Sequence, residues 1–451
     1  MKLTCFKAYD VRGRLDQELN EEICERIGRA YAQVLRPDRV VTGRDIRQSS
    51  ASLKAALHRG LVAEGVDVHD IGLCGTEEVY FATDHYRAGG GLMVTASHNP
   101  IDYNGIKMVR DGARPISAQT GLADIRAVAE LGDFGAIKTA GRVTKCDPRD
   151  AYVSHVKMYL TPEGLSPLKI VVNAGNGAAG PTFDTLAATL DVPFEFIRVH
   201  HTPDGTFPNG IPNPLLPENR AATSDAVIVN RADLGVAWDG DFDRCFFFDE
   251  TGAFVDGEYI VALLASAFCA KEKGARIVYD PRVVFATQDR VTAAGGHAIL
   301  SRVGHSNIKK VMRDHDAAYG GEMSAHHYFR DFMYCDSGMI PWLLLAELVA
   351  RSDLSLSQMV AQMRASYPSS GEINFDVTNK PAAIAAFKTA YAPKAKTMDK
   401  LDGVSLDMGT WRVNLRASGT ENILRLNLET RGDRALLEAK TAEISAFLAG
   451  F

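Results

Sequence analysis

The chain has 451 residues, 46% of them apolar and 24% charged, and its 50 basic and 56 acidic side chains leave a formal net charge of −6. This balance excludes a disordered chain and argues against non-specific wrapping of nucleic acid, which calls for a basic surface. The longest uncharged apolar run, residues 259–270, is 12 residues, well short of the roughly 20 that a membrane-spanning helix needs. Lys2, Lys7 and Asp10 interrupt the first residues, where a signal peptide would carry an apolar stretch. Seven cysteines without a CxxC pair point to reduced thiols and a cytoplasmic setting.

At roughly 100–200 residues per domain, the length accommodates two to four domains. Asn20 is placed to cap a helix with an apolar face of Ile23, Ile27, Tyr31, Val34 and Leu35. Residues 39–41 then read as a strand, Gly43-Arg44-Asp45 as a turn, and residues 50–64 as a helix stopped by Gly65 before the strand at 66–68. Alternation of this kind predicts α/β layers with largely parallel sheet. A second unit starts near Lys169, where 169–172 leads into the glycine-rich stretch 173–180, and a third follows Gly252 with a helix at 258–273 and a strand at 277–279. From about Gly371 the pattern changes. Strands at 373–377, 411–415 and 424–428 and a closing helix burying Leu437, Ile444, Phe447 and Leu448 predict a smaller α+β module with antiparallel sheet.

Four loops carry candidate chemistry. Thr95-Ala96-Ser97-His98-Asn99-Pro100 follows the apolar run 92–94, so Ser97 lies beyond the carboxyl end of a strand, where α/β sheets place their ligands. Asn99-Pro100 imposes a turn that would fix the hydroxyl's direction. In Asp239-Gly240-Asp241-Phe242-Asp243-Arg244, carboxylates two apart would share a face of an extended segment and converge on one hard divalent cation. An EF-hand is excluded because Arg244 stands where that loop needs glycine and both flanks read as strands. In Gly320-Gly321-Glu322-Met323-Ser324-Ala325-His326-His327, alternating Glu322, Ser324 and His326 offer the mix of acceptor, hydroxyl and imidazole that sugar hydroxyls need, whereas zinc would lack a third and fourth ligand. Arg416-Ala417-Ser418-Gly419-Thr420-Glu421-Asn422, with Arg425 beyond it, combines guanidinium, hydroxyls and exposed amides into a phosphate cradle.

The order of these four loops resembles that of the α-D-phosphohexomutase superfamily over essentially the whole chain. Phe6-Lys7-Ala8-Tyr9-Asp10-Val11-Arg12-Gly13, Asp102-Tyr103-Asn104-Gly105-Ile106-Lys107 and Gly304-His305-Ser306 are similar to further family segments, which bring an arginine, a lysine and a histidine to the active site. The resemblance implies three α/β domains with mixed, mostly parallel sheets and a smaller C-terminal α+β domain around a central cleft. We expect these at 1–148 (phosphoserine loop), 149–252 (metal loop), 253–368 (sugar loop) and 369–451 (phosphate loop). The string 321–329 is similar to the bacterial branch that acts on mannose phosphates and feeds GDP-mannose synthesis. Two departures from the family pattern are Ala325 and Phe242, at positions where relatives frequently have glycine.

The implied reaction interconverts mannose 1-phosphate and mannose 6-phosphate through a phosphorylated Ser97 and a hexose 1,6-bisphosphate that also serves as activator. Magnesium would be held by Asp239, Asp241, Asp243 and Ser97, and Arg12, Lys107 and Arg244 would neutralise the transferring group. His98, Lys107 and His305 all remain candidates for the general acid/base. Glu322, Ser324 and His326 would grip the sugar, and Arg416, Ser418, Gly419, Thr420, Asn422 and Arg425 the other phosphate. Activity on glucose phosphates, or on both sugars, is the nearest alternative, and a magnesium-dependent sugar-phosphate phosphatase a more distant one. The expected partner is a small sugar phosphate, with no nucleic acid or membrane, and the chain is expected to be a monomer or dimer.

Overall fold

A computed structural model describes residues 1–136, 139–282, 284–418 and 423–451. The chain forms two compact units, Met1–Phe254 with His326–Asp353, and Val255–Ala325 with Leu354–Phe451. Residues 253–368 therefore contribute to both units.

The first unit holds two mixed sheets. In one, the strands Gly90–Val94, Arg39–Arg44 and Asp67–Leu73 run parallel, while Tyr103–Arg110 pairs antiparallel with Gly90–Val94 and with Val11–Arg14. In the other, Leu234–Trp238 runs parallel to Leu168–Asn173 and antiparallel to Cys245–Asp249. The helix Glu21–Leu35 begins as its sequence requires, with Asn20 Oδ1 accepting from the Ile23 amide at 2.9 Å. It packs on helix Ser50–Ala63, and its buried Tyr31 reaches the sheet, donating to the Val109 carbonyl at 2.8 Å. Those two helices meet closely because Gly60 has no side chain: a Cβ there would lie 2.1 Å from the carbonyl oxygen of Glu25.

The segment His326–Asp353 joins this unit through buried polar contacts. Trp238 Nε1 donates to the Gly338 carbonyl at 2.8 Å, and the Glu77 carboxylate accepts from Ser337 Oγ at 2.8 Å and from the Gly338 amide. The apolar helix Met339–Ala350 starts at that point.

In the second unit, strand Arg276–Tyr279 lies between His297–Leu300 and Tyr319–Gly321, all parallel. Its last sheet is antiparallel, in the order Ser369–Asp376, Ile423–Thr430, Trp411–Ala417, Val404–Asp407 and Thr397–Asp399. Leu437, Ile444 and Leu448 of helix Arg434–Leu448 are buried against it as expected, but Phe447 is only half-buried, at the rim beside Tyr391 and Phe451. Among the described residues no helix is long and apolar enough to cross a membrane.

Candidate active site

Both reactive loops of the first unit are hairpin connections. Residues 95–102 join Gly90–Val94 to Tyr103–Arg110, and residues 239–244 join Leu234–Trp238 to Cys245–Asp249. The second is thus a turn and not the extended segment expected from its alternating acids. Phe242 has a left-handed backbone (φ 43°), which bends the chain so that the three carboxylates still converge. Their nearest oxygens lie within 4.8 Å of one another, and all three residues are buried.

The Phe242 side chain has a definite place. Its ring fills the space beside Gly75, where a Cβ would come within 2.3 Å of ring carbons. From the same helix start, Thr76 Oγ1 donates to Asp241 Oδ2 at 2.5 Å, and the Thr76 amide donates to the Asp241 carbonyl at 3.0 Å. These contacts hold the acidic turn on the sheet that carries Ser97.

Ser97 is also left-handed (φ 49°) and 2% exposed. Its Oγ donates to Asp239 Oδ2 at 2.6 Å, accepts from Arg244 Nη2 at 3.2 Å and lies 3.0 Å from His98 Nδ1. Lys107 Nζ donates to Asp241 Oδ2 at 2.7 Å and to Asp243. Burial pushes the Asp239 carboxyl up to about 7 against the opposing pull of Arg244. Burial also opposes the charge on Lys107, but Asp241 and Asp243 outweigh it and hold the ammonium above its ordinary range. His98 is driven well below its ordinary range by burial and by the adjacent Arg244 guanidinium. Arg12 donates to Asn99 Oδ1 at 2.6 Å and pairs with Asp10 at 2.7 Å, so it braces the serine loop from the side.

Oδ1 of Asp239 and Oδ1 of Asp241 are buried without a hydrogen-bond partner. Unspent, dehydrated carboxylate oxygens are the donors that a hard divalent cation takes. The residues present therefore fit such an ion.

The remaining candidates divide between the units. His326 belongs to the first, with Nε2 3.8 Å from Asp243 Oδ1. Glu322 and Ser324 belong to the second, and a turn with Ala325 at φ 66° replaces the expected alternating edge. Both departures from the family pattern, Phe242 and Ala325, thus sit at left-handed positions, where a side chain is strained by about 1 kcal/mol. Glu322 Oε1 accepts from the Gly304 amide at 2.8 Å, one residue before His305 opens the helix His305–His315.

Arg416 and Arg425 are direct cross-strand partners. Such a like-charge pair is unfavourable unless an anion sits between the two. Glu372 fills that role, 2.6 Å from Arg416 and 3.4 Å from Arg425, with Arg282 at 3.7 Å. Ser418 is buried, and its amide donates to the Ile423 carbonyl at 3.0 Å. Gly419, Thr420 and Asn422 lie outside the described residues.

Thr76, Arg47, Arg282 and Glu372 were not singled out in the sequence. For Arg47 and Arg282 a signal existed, since each comes just after a predicted strand, the position that marked Ser97.

Four consecutive stretches of the chain match the phosphoglucomutase/phosphomannomutase family: its alpha/beta/alpha domains I (residues 3–134), II (150–252) and III (256–367) and its C-terminal domain (372–446). The chain belongs to this family. It is 57% identical over 452 residues to the phosphomannomutase of Salmonella typhimurium, covering 99% of both chains. It is 56% identical over 451 residues to a Xanthomonas campestris protein named phosphohexose mutases, covering 100% of both. The crystal structure of a phosphoglucomutase/phosphomannomutase family protein from Burkholderia thailandensis superimposes with a TM-score of 0.88 at 29% identity, over 99% of this chain and 97% of that one.

Proposed function

We propose that this chain is a phosphomannomutase, an isomerase that interconverts α-D-mannose 1-phosphate and D-mannose 6-phosphate. The observation that carries the reading is the buried Ser97 hydroxyl, 2.6 Å from Asp239 and within reach of Arg244. Full-length identity of 57% to a phosphomannomutase supports it.

In the reaction, phosphorylated Ser97 gives its phosphoryl group to the substrate's free hydroxyl. The serine O–P bond breaks as the sugar O–P bond forms, and the hydroxyl's proton passes to His98 or His305; Lys107, held as an ammonium by Asp241 and Asp243, can give a proton but not take one. The released Ser97 oxygen takes up a proton, the 1,6-bisphosphate turns end for end, and its other phosphate passes back to Ser97 as the freed sugar oxygen regains a proton; the product then leaves. Transfer of this kind needs positioning and charge neutralisation more than covalent help. Arg12, Lys107 and Arg244 supply the positive charge. Magnesium held by Asp239, Asp241, Asp243 and the Ser97 oxygen would supply further electrostatic stabilisation.

Arg416, Ser418, Gly419, Thr420, Asn422 and Arg425 hold the phosphate that is not reacting. Glu322, Ser324 and His326 take the sugar hydroxyls, which both donate and accept. The division into four domains at 1–148, 149–252, 253–368 and 369–451, and a cytoplasmic location, belong to the same reading.

Ser97→Ala is the test. The purified wild type, incubated with a hexose 1,6-bisphosphate, gains one phosphate by intact mass and turns over mannose 1-phosphate; the variant does neither but still binds the sugar phosphate. Appreciable mutase activity in the variant would overturn the scheme, and release of inorganic phosphate at the isomerisation rate would make the protein a phosphatase. The Xanthomonas relative's name, phosphohexose mutases, favours a second reading in which glucose 1-phosphate is also a substrate. Comparing kcat/KM for the two 1-phosphates decides between them.

A further inference from the structure

Behind the serine loop lies an arginine that the mechanism above does not use. Arg47 is 2% exposed, and its two terminal nitrogens donate to four carbonyl oxygens of a single loop. Nη2 reaches Ser97 at 3.0 Å and Asn99 at 2.5 Å, and Nη1 reaches Pro100 at 2.8 Å and Tyr103 at 3.1 Å. All four terminal N–H groups of the guanidinium are thereby spent on the backbone that carries the nucleophile.

The guanidinium is itself fixed from two sides. Asp45 Oδ1 accepts from the Arg47 amide at 3.0 Å, Asp45 Oδ2 lies 3.6 Å from Nε, and Ser50 Oγ donates to Asp45 Oδ1 at 2.5 Å. Its Cζ lies over the Phe207 ring, 5.6 Å from the centroid. A buried charge is an expensive device for closing a turn that Asn99-Pro100 already favours. What it adds is a fixed fork geometry, which no neutral side chain supplies.

We propose that Arg47 is a positioning residue for phosphoryl transfer: by clamping four carbonyls of residues 97–103 it holds Ser97 in its left-handed conformation, with Oγ aimed at Asp239. This rests on the reading of Ser97 as the phosphoryl carrier. Arg47 is not placed to touch the transferring group. Its contribution is to the orientation of the serine oxygen, so it belongs in the rate of transfer and not in the affinity for sugar phosphate. A lysine keeps the charge but offers three donors from one point, which cannot span the four carbonyls.

The test uses the full chain as wild type, Arg47→Lys and Asp45→Asn, the last leaving the guanidinium present but less firmly oriented. Three readouts are taken: the rate of Ser97 phosphorylation by hexose 1,6-bisphosphate, followed by intact mass; kcat and KM for mannose 1-phosphate; and hydrogen exchange of amides 96–103. Misplacing the nucleophile by about an ångström lowers transfer and kcat about 100-fold in Arg47→Lys, and Asp45→Asn shows a smaller loss of the same kind. KM changes less than about threefold, as for an interaction felt only in the transition state. Exchange accelerates locally at 96–103.

Wild-type transfer rates and unchanged exchange in both variants would overturn the proposal. So would a rise in KM that accounts for the whole loss of kcat/KM. If Arg47→Lys does not fold, Asp45→Asn decides alone, by the same readouts. A wild-type chain that accepts no phosphate on Ser97 sinks the mutase reading instead, and local exchange then still tells whether Arg47 holds the loop.

Discussion

Lys107→Met removes one positive charge from the acidic trio while keeping most of the side chain's volume. In the wild type, Nζ lies 2.7 Å from Asp241 Oδ2 and also contacts Asp243. At an effective dielectric of about 20, one such contact is worth about 6 kcal/mol of attraction. Desolvation of the ammonium offsets part of this, and breaking a buried pair from one side destabilises by about 3–5 kcal/mol. Asp239 then keeps its hydrogen bond from Arg244, while Asp241 and Asp243 lose the ammonium. Domains of this size lose roughly 2–4 °C of thermal midpoint per kcal/mol, so the unfolding transition in a chelator falls by roughly 6–20 °C. A divalent cation replaces the missing charge and returns about 2.7 kcal/mol at roughly a hundredfold of its Kd. The assay is thermal unfolding of the full-length wild type and variant, each in chelator and in millimolar magnesium. Magnesium should raise the variant's midpoint by more than the wild type's. A variant that melts with the wild type in chelator, or equal magnesium shifts in both, would refute this account of how the trio is held.

Two further predictions concern packing and pH. A Cβ at Gly240 would lie 2.7 Å from the Ser97 carbonyl oxygen, the same oxygen that Arg47 holds; Gly240→Ala should cost about 1–3 kcal/mol of stability and lower kcat at least about tenfold, and unchanged values for both would show that the two loops are not in tight register. His58 is buried against Thr42 Oγ1, and burial lowers its pKa to about 4. The unfolded chain thus binds a proton that the folded chain refuses, and stability falls as pH drops from about 6.5 towards 4, with about 2 kcal/mol lost by pH 5. His58→Gln, which retains a partner for Thr42, should flatten this slope in denaturant titrations between pH 7 and 5; parallel slopes would count against it.

The local signals were readable from the chain alone. Asn20 caps where an Asx residue before an apolar period should, and Ser97 and the three aspartates stand at strand ends. What could not be read is how chain segments far apart in sequence share one site. Thr76 bonds Asp241, and Glu77 receives Ser337 and Gly338; neither pairing leaves a local pattern. The acidic loop was expected as an extended edge because alternation is the simplest way to align three side chains. A hairpin turn with one left-handed residue achieves the same convergence, and Phe242 gives no hint of φ 43° because bulky residues seldom adopt it. The string Glu322–His326 was expected to act from one edge. It runs instead from one compact unit into the other, a division set by packing on Trp238 and Glu77 and not by its own composition.

Charge balance around Ser97 shows why both cations are needed beside it. Asp239, Asp241 and Asp243 carry up to three negative charges, and Lys107 and Arg244 return two. Burial raises the Asp239 carboxyl against the pull of Arg244, so its negative charge is held at a cost. With protein groups alone the serine form of the site therefore carries at most about one excess negative charge. In the proposed reaction a phosphoryl group on Ser97 would add about −1.5 to −2, in a place where Arg244 already bonds the serine oxygen and Lys107 already bonds two acids. The same two side chains cannot neutralise the acids and the phosphate in full. Arg12 adds a third cation, though Asp10 already offsets part of its charge. The unspent carboxylate oxygens of Asp239 and Asp241 would hold a divalent cation, whose charge would offset that of the phosphate. The buried trio on its own would repel a phosphoryl group on Ser97, so in the proposed reaction the acids serve a cation and the cationic side chains, not the phosphate directly.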